Sequence, residues 1–120
     1  MKRERGSVTA ESALVLPLVA GFGVVVAWLV SLGIAQVRTV DAARDAARAL
    51  ARGDDERQTV AIAQRTAPEG AEISFTESES SVTVSVTFRA KPPGWLLMPM
   101  PEVSIGSEST VELEDDVADR

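Results

Sequence analysis

The chain has 120 residues and a formal net charge of −6, and it contains no histidine, cysteine or tyrosine. These absences exclude disulfide bonds and thiolate sites, and they remove the commonest general base and metal ligand. Beyond residue 37 the chain has nine basic and sixteen acidic side chains. This acidic balance argues against nucleic acid and anionic lipid headgroups as partners.

An apolar segment without an ionisable side chain runs from Ser12 to Val37. As a helix its 26 residues would be about 39 Å long, which exceeds the roughly 30 Å of a bilayer's hydrocarbon core. A soluble helix of this length normally has a polar face, whereas this segment is apolar on all sides. The sequence therefore predicts a transmembrane helix over residues 7–37, preceded by a short basic leader over residues 1–6.

The basic leader predicts the topology of the chain. Lys2, Arg3 and Arg5 precede the apolar segment, and positive residues favour the cytoplasmic side. The arginines that follow the segment are interspersed with acids and compete only weakly. We therefore expect a single-pass membrane protein of the cell envelope, with a cytoplasmic N-terminus and an extracytoplasmic C-terminal domain.

A cleaved secretory signal is the alternative to a retained anchor. The small residues ending at Ala35 resemble a cleavage site, and cleavage there would release a secreted protein. The apolar region of such signals is usually only about 7–15 residues long. The longer segment here favours retention.

Residues 38–67 are predicted to be helical. An alanine-rich stretch should continue the membrane helix as a stalk until Gly53 ends it. A second helix is expected over Glu56–Ala67, with Asp54 or Asp55 as its N-cap. Opposite charges along the stalk are expected to pair, Asp41 with Arg44 and Asp45 with Arg48.

Residues 71–113 are predicted to form a small antiparallel sheet. Apolar residues alternate with polar ones in EISFTE, residues 72–77, and in SVTVSVTFRA, residues 81–90. A third strand is expected between Val103 and Leu113, with Gly106 at a bulge or turn. The predicted fold class is α+β, with one helix packed on the apolar face of the meander and an acidic tail over residues 114–120.

A proline-rich loop, Lys91–Pro101, contains five large apolar side chains: Trp95, Leu96, Leu97, Met98 and Met100. Such a loop either folds back over the sheet or presents an apolar surface for contact with a partner. The sequence leaves both interpretations open.

The start of the apolar segment carries a recognisable motif. Gly6 is followed by Ser7, and Glu11 stands four residues later, in ESALVLPLVAG with Pro17 inside. This opening resembles the TadE-like family of tight-adherence pili, which are related to type IV pili, and DAARDAARALARG resembles the stretch that follows the membrane helix in that family. The resemblance covers about residues 3–53. Ser12 departs from it, because many relatives have an aromatic residue there.

The resemblance implies a minor pilin or pseudopilin cut between Gly6 and Ser7 by a prepilin peptidase. The freed amine of Ser7 would then offset the carboxylate of Glu11 in the same or a neighbouring subunit and set the register between packed helices. Pro17 would kink or loosen the helix. The implied partners are the membrane, the prepilin peptidase, other pilin or pseudopilin subunits and the pilus assembly machinery.

The sequence contains no recognisable catalytic, cofactor-binding or metal-binding motif, so we do not expect an enzyme or a cofactor. The acidic tail lacks the spacing of a calcium loop. The alternative function is that of a single-pass membrane-anchored interaction subunit that never enters a filament. Such a subunit would dock on its partner through residues 95–100.

Overall fold

The computed structural model describes residues 2–94 and 100–113, with side chains described from Arg5 onward. Two helices, α1 (Lys2–Ala51) and α2 (Glu56–Thr66), precede three strands, β1 (Glu72–Glu77), β2 (Ser81–Ala90) and β3 (Val103–Glu112). This arrangement confirms the predicted α+β class with its long N-terminal helix, short second helix and antiparallel sheet.

The chain divides into two compact units, Met1–Ser31 and Leu32–Arg120. In the first unit, ten large apolar side chains of α1 are between 41% and 75% exposed, with Leu14 the most exposed. Trp28, in contrast, is 6% exposed. The first unit therefore presents to its surroundings an apolar surface of a kind that soluble proteins rarely leave open.

In the second unit, α1 ends where the sequence predicted. Gly53 has a φ of +89°, a conformation that glycine adopts without strain. Its N–H donates to the carbonyl of Leu50 at 2.9 Å, and the N–H of Asp54 donates to the carbonyl of Ala49 at 3.1 Å. This pair of bonds is a Schellman motif, which satisfies carbonyls at the end of the helix.

The second helix begins as predicted. Asp55 is its N-cap, and the Asp55 carboxylate accepts a hydrogen bond from the N–H of Gln58 at 2.7 Å. The helix ends at Thr66, one residue before the predicted end, because Ala67 has an extended backbone. Proline disfavours a helical conformation in the residue before it, and Pro68 follows Ala67.

The sheet has the order β1-β2-β3, with β2 in the centre and antiparallel to both neighbours. Both alternating segments form strands with the predicted bounds. The expectation for Gly106 is wrong, because β3 is continuous and pairs Gly106 with Thr87 without a bulge. Gly106 is exposed, so its missing side chain leaves no gap in the core.

The core of the second unit joins both helices to one face of the sheet. Two helices therefore contribute to it, rather than the single helix expected. Its fully buried apolar residues are Ala42, Ala43 and Ala46 of α1, Ala63 of α2, and Val84 and Val86 of β2. Alanine's short side chain lets a helix backbone approach a neighbouring element closely. Both helices therefore contribute only small fully buried side chains to this core, and larger ones, Leu50, Ile73 and Phe75, pack against it partly buried.

The carboxylate of Asp45 accepts a hydrogen bond from the Thr66 hydroxyl at 3.1 Å, which connects α1 to the end of α2. The predicted pairs Asp41–Arg44 and Asp45–Arg48 are not formed. Among the described residues, the ion pair within 4 Å is that of Arg52 and Asp54, at 3.2 Å. An exposed pair of this kind contributes little to stability.

We predict that Ala46→Leu destabilises the second unit by about 1–3 kcal/mol, because a larger side chain overpacks a fully buried site. The matched control is Ala51→Leu, on the exposed side of the same helix. Urea unfolding of the full chain in mild detergent measures the difference in stability between the two variants. The signal is the protection of the β2 amides from hydrogen exchange at each urea concentration. Equal midpoints for the two variants would contradict this description of the core.

Candidate processing and membrane segment

The four residues of the predicted processing and assembly motif all lie on α1, in the first unit. Gly6, Ser7, Glu11 and Pro17 are all exposed. A methyl group added at Gly6 would meet no atom within 4 Å beyond the adjoining residues and the nearby backbone of its own helix. The bond between residues 6 and 7 is therefore not covered by other described parts of the chain.

Glu11 lies on the same side of the helix as Ser7, one turn further along. Residues four apart in a helix lie one above the other, with a rise of about 6 Å between them. An amine at Ser7 would thus be within side-chain reach of the Glu11 carboxylate. The described chain has no basic group within 4 Å of Glu11.

Two hydroxyl groups of the first unit bond to carbonyl groups of the helix itself. Thr9 donates to the carbonyl of Arg5 at 2.9 Å, and Ser31 donates to the carbonyl of Trp28 at 2.6 Å. Such bonds remove polar groups from competition with the backbone and lower the cost of placing them in an apolar medium.

Pro17 lies inside α1, which continues as a helix on both sides of it. Proline has no N–H, so the carbonyl of Ala13 lacks the helical hydrogen bond that another residue at position 17 would donate. The predicted loosening at this point therefore has a local backbone cause, and helices embedded in membranes tolerate such gaps when neighbouring groups compensate.

Within residues 5–94 and 100–113, α1 is the one helix that is long and apolar enough to cross a membrane. Only 6% of the most apolar 18-residue stretch of α1 is buried within the chain. A buried helix of a soluble core would have the opposite property. A signal sequence near the N-terminus shares this length and composition.

The predicted contact loop lies mostly beyond the described part of the chain. Trp95, Leu96, Leu97 and Met98 fall outside the described residues, as does the acidic tail, residues 114–120. Met100 is described and is half-buried. Among the described residues there is no group of three or more acids arranged to hold a metal ion.

Sequence reasoning passed over the second face of the sheet. Its hydroxyls form cross-strand bonds, between Thr83 and Thr110 at 2.9 Å and from Ser85 to the carboxylate of Glu108 at 3.2 Å. The signal was present in the alternation that predicted the strands, because every second residue of β2 is polar.

No family model, no curated protein and no solved structure matches this chain. The resemblance to TadE-like proteins therefore rests on the motif and its spacing.

We predict that Phe22→Arg reduces membrane insertion of α1, because a charged side chain near the centre of a span costs about 2.5–3.5 kcal/mol on insertion scales. That cost corresponds to a shift of about a hundredfold in the insertion equilibrium. Carbonate extraction and a topology reporter fused after residue 113 measure insertion. The control is Val37→Arg, beside Arg38 at the end of the apolar segment, which should insert normally.

Proposed function

We propose that this protein is a minor pilin or pseudopilin of a tight-adherence, type IV-related pilus or secretion assembly. It is retained in the membrane of the cell envelope through α1, with its N-terminus cytoplasmic and its C-terminal unit extracytoplasmic. A prepilin peptidase processes it between Gly6 and Ser7. It then packs against other pilin or pseudopilin subunits through the apolar surface of the first unit.

One observation carries this proposal: the exposed apolar segment of α1 begins directly after an acid, Glu11, which lies five residues after an accessible glycine, Gly6. The helix macrodipole favours an acid in the first turn by about 0.3–1 kcal/mol, but α1 begins at Lys2, so Glu11 lies beyond its first turn. The macrodipole does not account for the coincidence of Glu11 with Gly6, the basic leader and the apolar segment in one helix. Processing followed by helix packing accounts for all four.

The position of Gly6 suits cleavage. The bond to Ser7 lies inside α1, whereas a protease acting on the backbone needs the helix opened locally. Glycine lowers helix stability by about 1 kcal/mol relative to alanine, so the chain opens more readily here than at its neighbours. Glycine also lets the enzyme approach the backbone closely.

Cleavage would give the unfavourable carboxylate of Glu11 a partner, and the need for this pair would select the register between packed helices. A lone carboxylate at the edge of a bilayer is unfavourable, and the new amine of Ser7 supplies an opposite charge one turn away. The same amine on a neighbouring subunit can serve if the two helices pack in register. An assembly in which every carboxylate has a partner is then preferred over assemblies that are shifted along the helix axis.

The structure of the second unit supports a minor rather than a major role. Major pilins of such systems are expected to contain little beyond the helix, whereas this chain adds α2 and a three-stranded sheet. A folded unit at this place would occupy room beside each subunit. That feature fits a subunit that is less abundant than the major pilin.

The course of α1 also supports retention over release at Ala35. The helix continues through this position, and the hydroxyl of Thr39 donates to the carbonyl of Ala35 at 2.7 Å. Ala35 is itself buried in the second unit. Cleavage there would remove residues that the second unit packs, so release as a soluble protein is the less favourable alternative.

We predict that Gly6→Leu prevents removal of residues 1–6 in cells that contain a prepilin peptidase. The leucine side chain would occupy space that the enzyme needs at the scissile bond. Intact-mass analysis of the membrane-extracted protein should show Ser7 as the first residue of the wild type and an uncut chain for the variant. Gly21→Leu, at an exposed glycine of the same helix, is the control and should be cut normally.

If the Gly6→Leu protein behaves as wild type in assembly, the membrane-anchored interaction subunit becomes the better function. A first residue other than Ser7 in the wild type would contradict the proposed cleavage between Gly6 and Ser7.

We predict that Glu11→Ala leaves cleavage unchanged and lowers the incorporation of the subunit into shed pili or assembly complexes, because the in-register packing loses its charge pair. The expected loss is about tenfold or more, which corresponds to about 1.4 kcal/mol. Quantitative immunoblots of sheared and membrane fractions measure incorporation. Ser12→Ala is the neighbouring control. Normal incorporation of the Glu11 variant would remove the register role from this residue.

A further inference from the structure

The second unit has two outer faces of opposite charge. One belongs to α1 and the other to the sheet, and the core described above lies between them. Neither face is used by the processing site or by the apolar surface of the first unit. Both faces are therefore left for a contact other than these two.

The first of these, the arginine face, consists of four exposed residues of α1: Arg38, Asp41, Arg44 and Arg48. Arg44 and Arg48 point away from the buried Ala42 and Ala46, because residues two apart in a helix lie on different sides. The described chain has no carboxylate within 4 Å of any of these arginines. The face has a net charge of +2 in a protein that is otherwise acidic.

The second, the hydroxyl–acid face, is the side of the sheet opposite the core. It consists of the even-numbered residues of β1 and β3 and the odd-numbered residues of β2. Serine and threonine occupy most of these positions, and the charged residues among them are Glu72, Glu108, Glu112 and Arg89, all exposed. The face has a net charge of −2.

We propose that the arginine face of one copy docks on the hydroxyl–acid face of the next copy. The charges are complementary in composition, since three cations and one anion would meet three anions and one cation. Their spacing is comparable as well. Arg38 and Arg48 are about 15 Å apart along a helix, and Glu108 and Glu112 are about 14 Å apart along a strand.

The position of the faces on opposite sides of one unit determines the kind of contact. A surface that binds a different surface of an identical copy forms a heterologous, head-to-tail interface, which leaves a free face at each end and permits further addition. A self-complementary dimer would need both charges on one face. The short hydroxyl side chains on the sheet leave room for the long arginine side chains.

A second copy is the favoured occupant because this chain itself supplies both complementary surfaces. The inference rests on the proposed assembly role, but it does not depend on cleavage at Gly6. The tests below therefore use the uncut full chain, made without a prepilin peptidase and reconstituted in lipid vesicles. A failure of docking is then separate from a failure of processing.

The first experiment uses cross-linking, since the wild-type chain has no cysteine. A chain carrying both Asp41→Cys and Ser74→Cys has one thiol on each face, with the core between them. A short bismaleimide should join it into a ladder of dimers, trimers and larger species. Each single-cysteine variant should stay monomeric, and so should the control pair Gln64→Cys with Ser74→Cys, which places one thiol on exposed α2.

Dimers from either single-cysteine variant would indicate a symmetric contact and overturn the proposal. Equal ladders from the control pair would indicate random collision in the membrane and would overturn it too. The absence of a ladder from the double-cysteine chain would also overturn the proposal.

The second experiment exchanges the charges. Arg44→Glu with Arg48→Glu, made in the cross-linking chain, should lower the ladder yield by about tenfold, and so should Glu72→Arg with Glu108→Arg, because like charges would then face each other. Mixing the two variants should restore the ladder, since each acidic helix meets a basic sheet and each basic helix an acidic one.

The control for charge reversal is Arg57→Glu with Arg65→Glu, on exposed α2, which changes the net charge equally without touching either face. It should keep the wild-type yield. Loss of yield in the control, or no recovery on mixing, would overturn the proposal. High salt should weaken the wild-type ladder, since exposed charges are screened.

Discussion

The second unit depends on its core, in which buried alanines of α1 pack together with the sheet. Ala42, Ala43 and Ala46 share one buried cluster with Val84 and Val86, and all five are fully buried. Few large apolar side chains are available beyond residue 53, so the sheet and α2 alone would bury little surface, and small domains are marginal for that reason. The alanines add burial without bulk. They also leave Arg38, Asp41, Arg44 and Arg48 exposed on the outer side of α1, which creates the arginine face.

Local signals predicted the local structure well. Gly53 and Asp55 end and begin helices because their backbone and side chain satisfy hydrogen-bonding groups within a few residues. The alternation in β2 predicted its strand and its buried face for a similar reason. The wrong predictions concern interactions between residues that are far apart in the sequence. Asp45 bonds to Thr66, twenty-one residues away, rather than to Arg48, and Gly106 stays in the ladder because β2 pairs with it on that side.

The processing motif illustrates a different limit of sequence reasoning. Gly6, Ser7 and Glu11 are close in sequence, so their spacing on one helix follows from the helical repeat. The role proposed for Glu11, however, requires a positive charge that the uncut chain does not contain at Ser7. The function of the motif therefore depends on a covalent event and on a neighbouring copy. Neither is encoded in the contacts of a single chain, which is why the site has to be argued from the chemistry it would acquire.

The two proposed contacts between copies differ in strength for a physical reason. A charge pair at the membrane edge acts in a medium of low dielectric constant, where Coulomb interactions are strong and an unpaired charge is costly. The charges of the arginine and hydroxyl–acid faces are exposed to water, where single pairs contribute about 0–1 kcal/mol and salt screens them. The helix contact should therefore supply most of the affinity. The outer faces add less energy, but their opposite signs exclude like-charged orientations, so they select which side of a neighbour is approached. The first unit would thus supply most of the affinity between copies, and the second unit would determine their relative orientation.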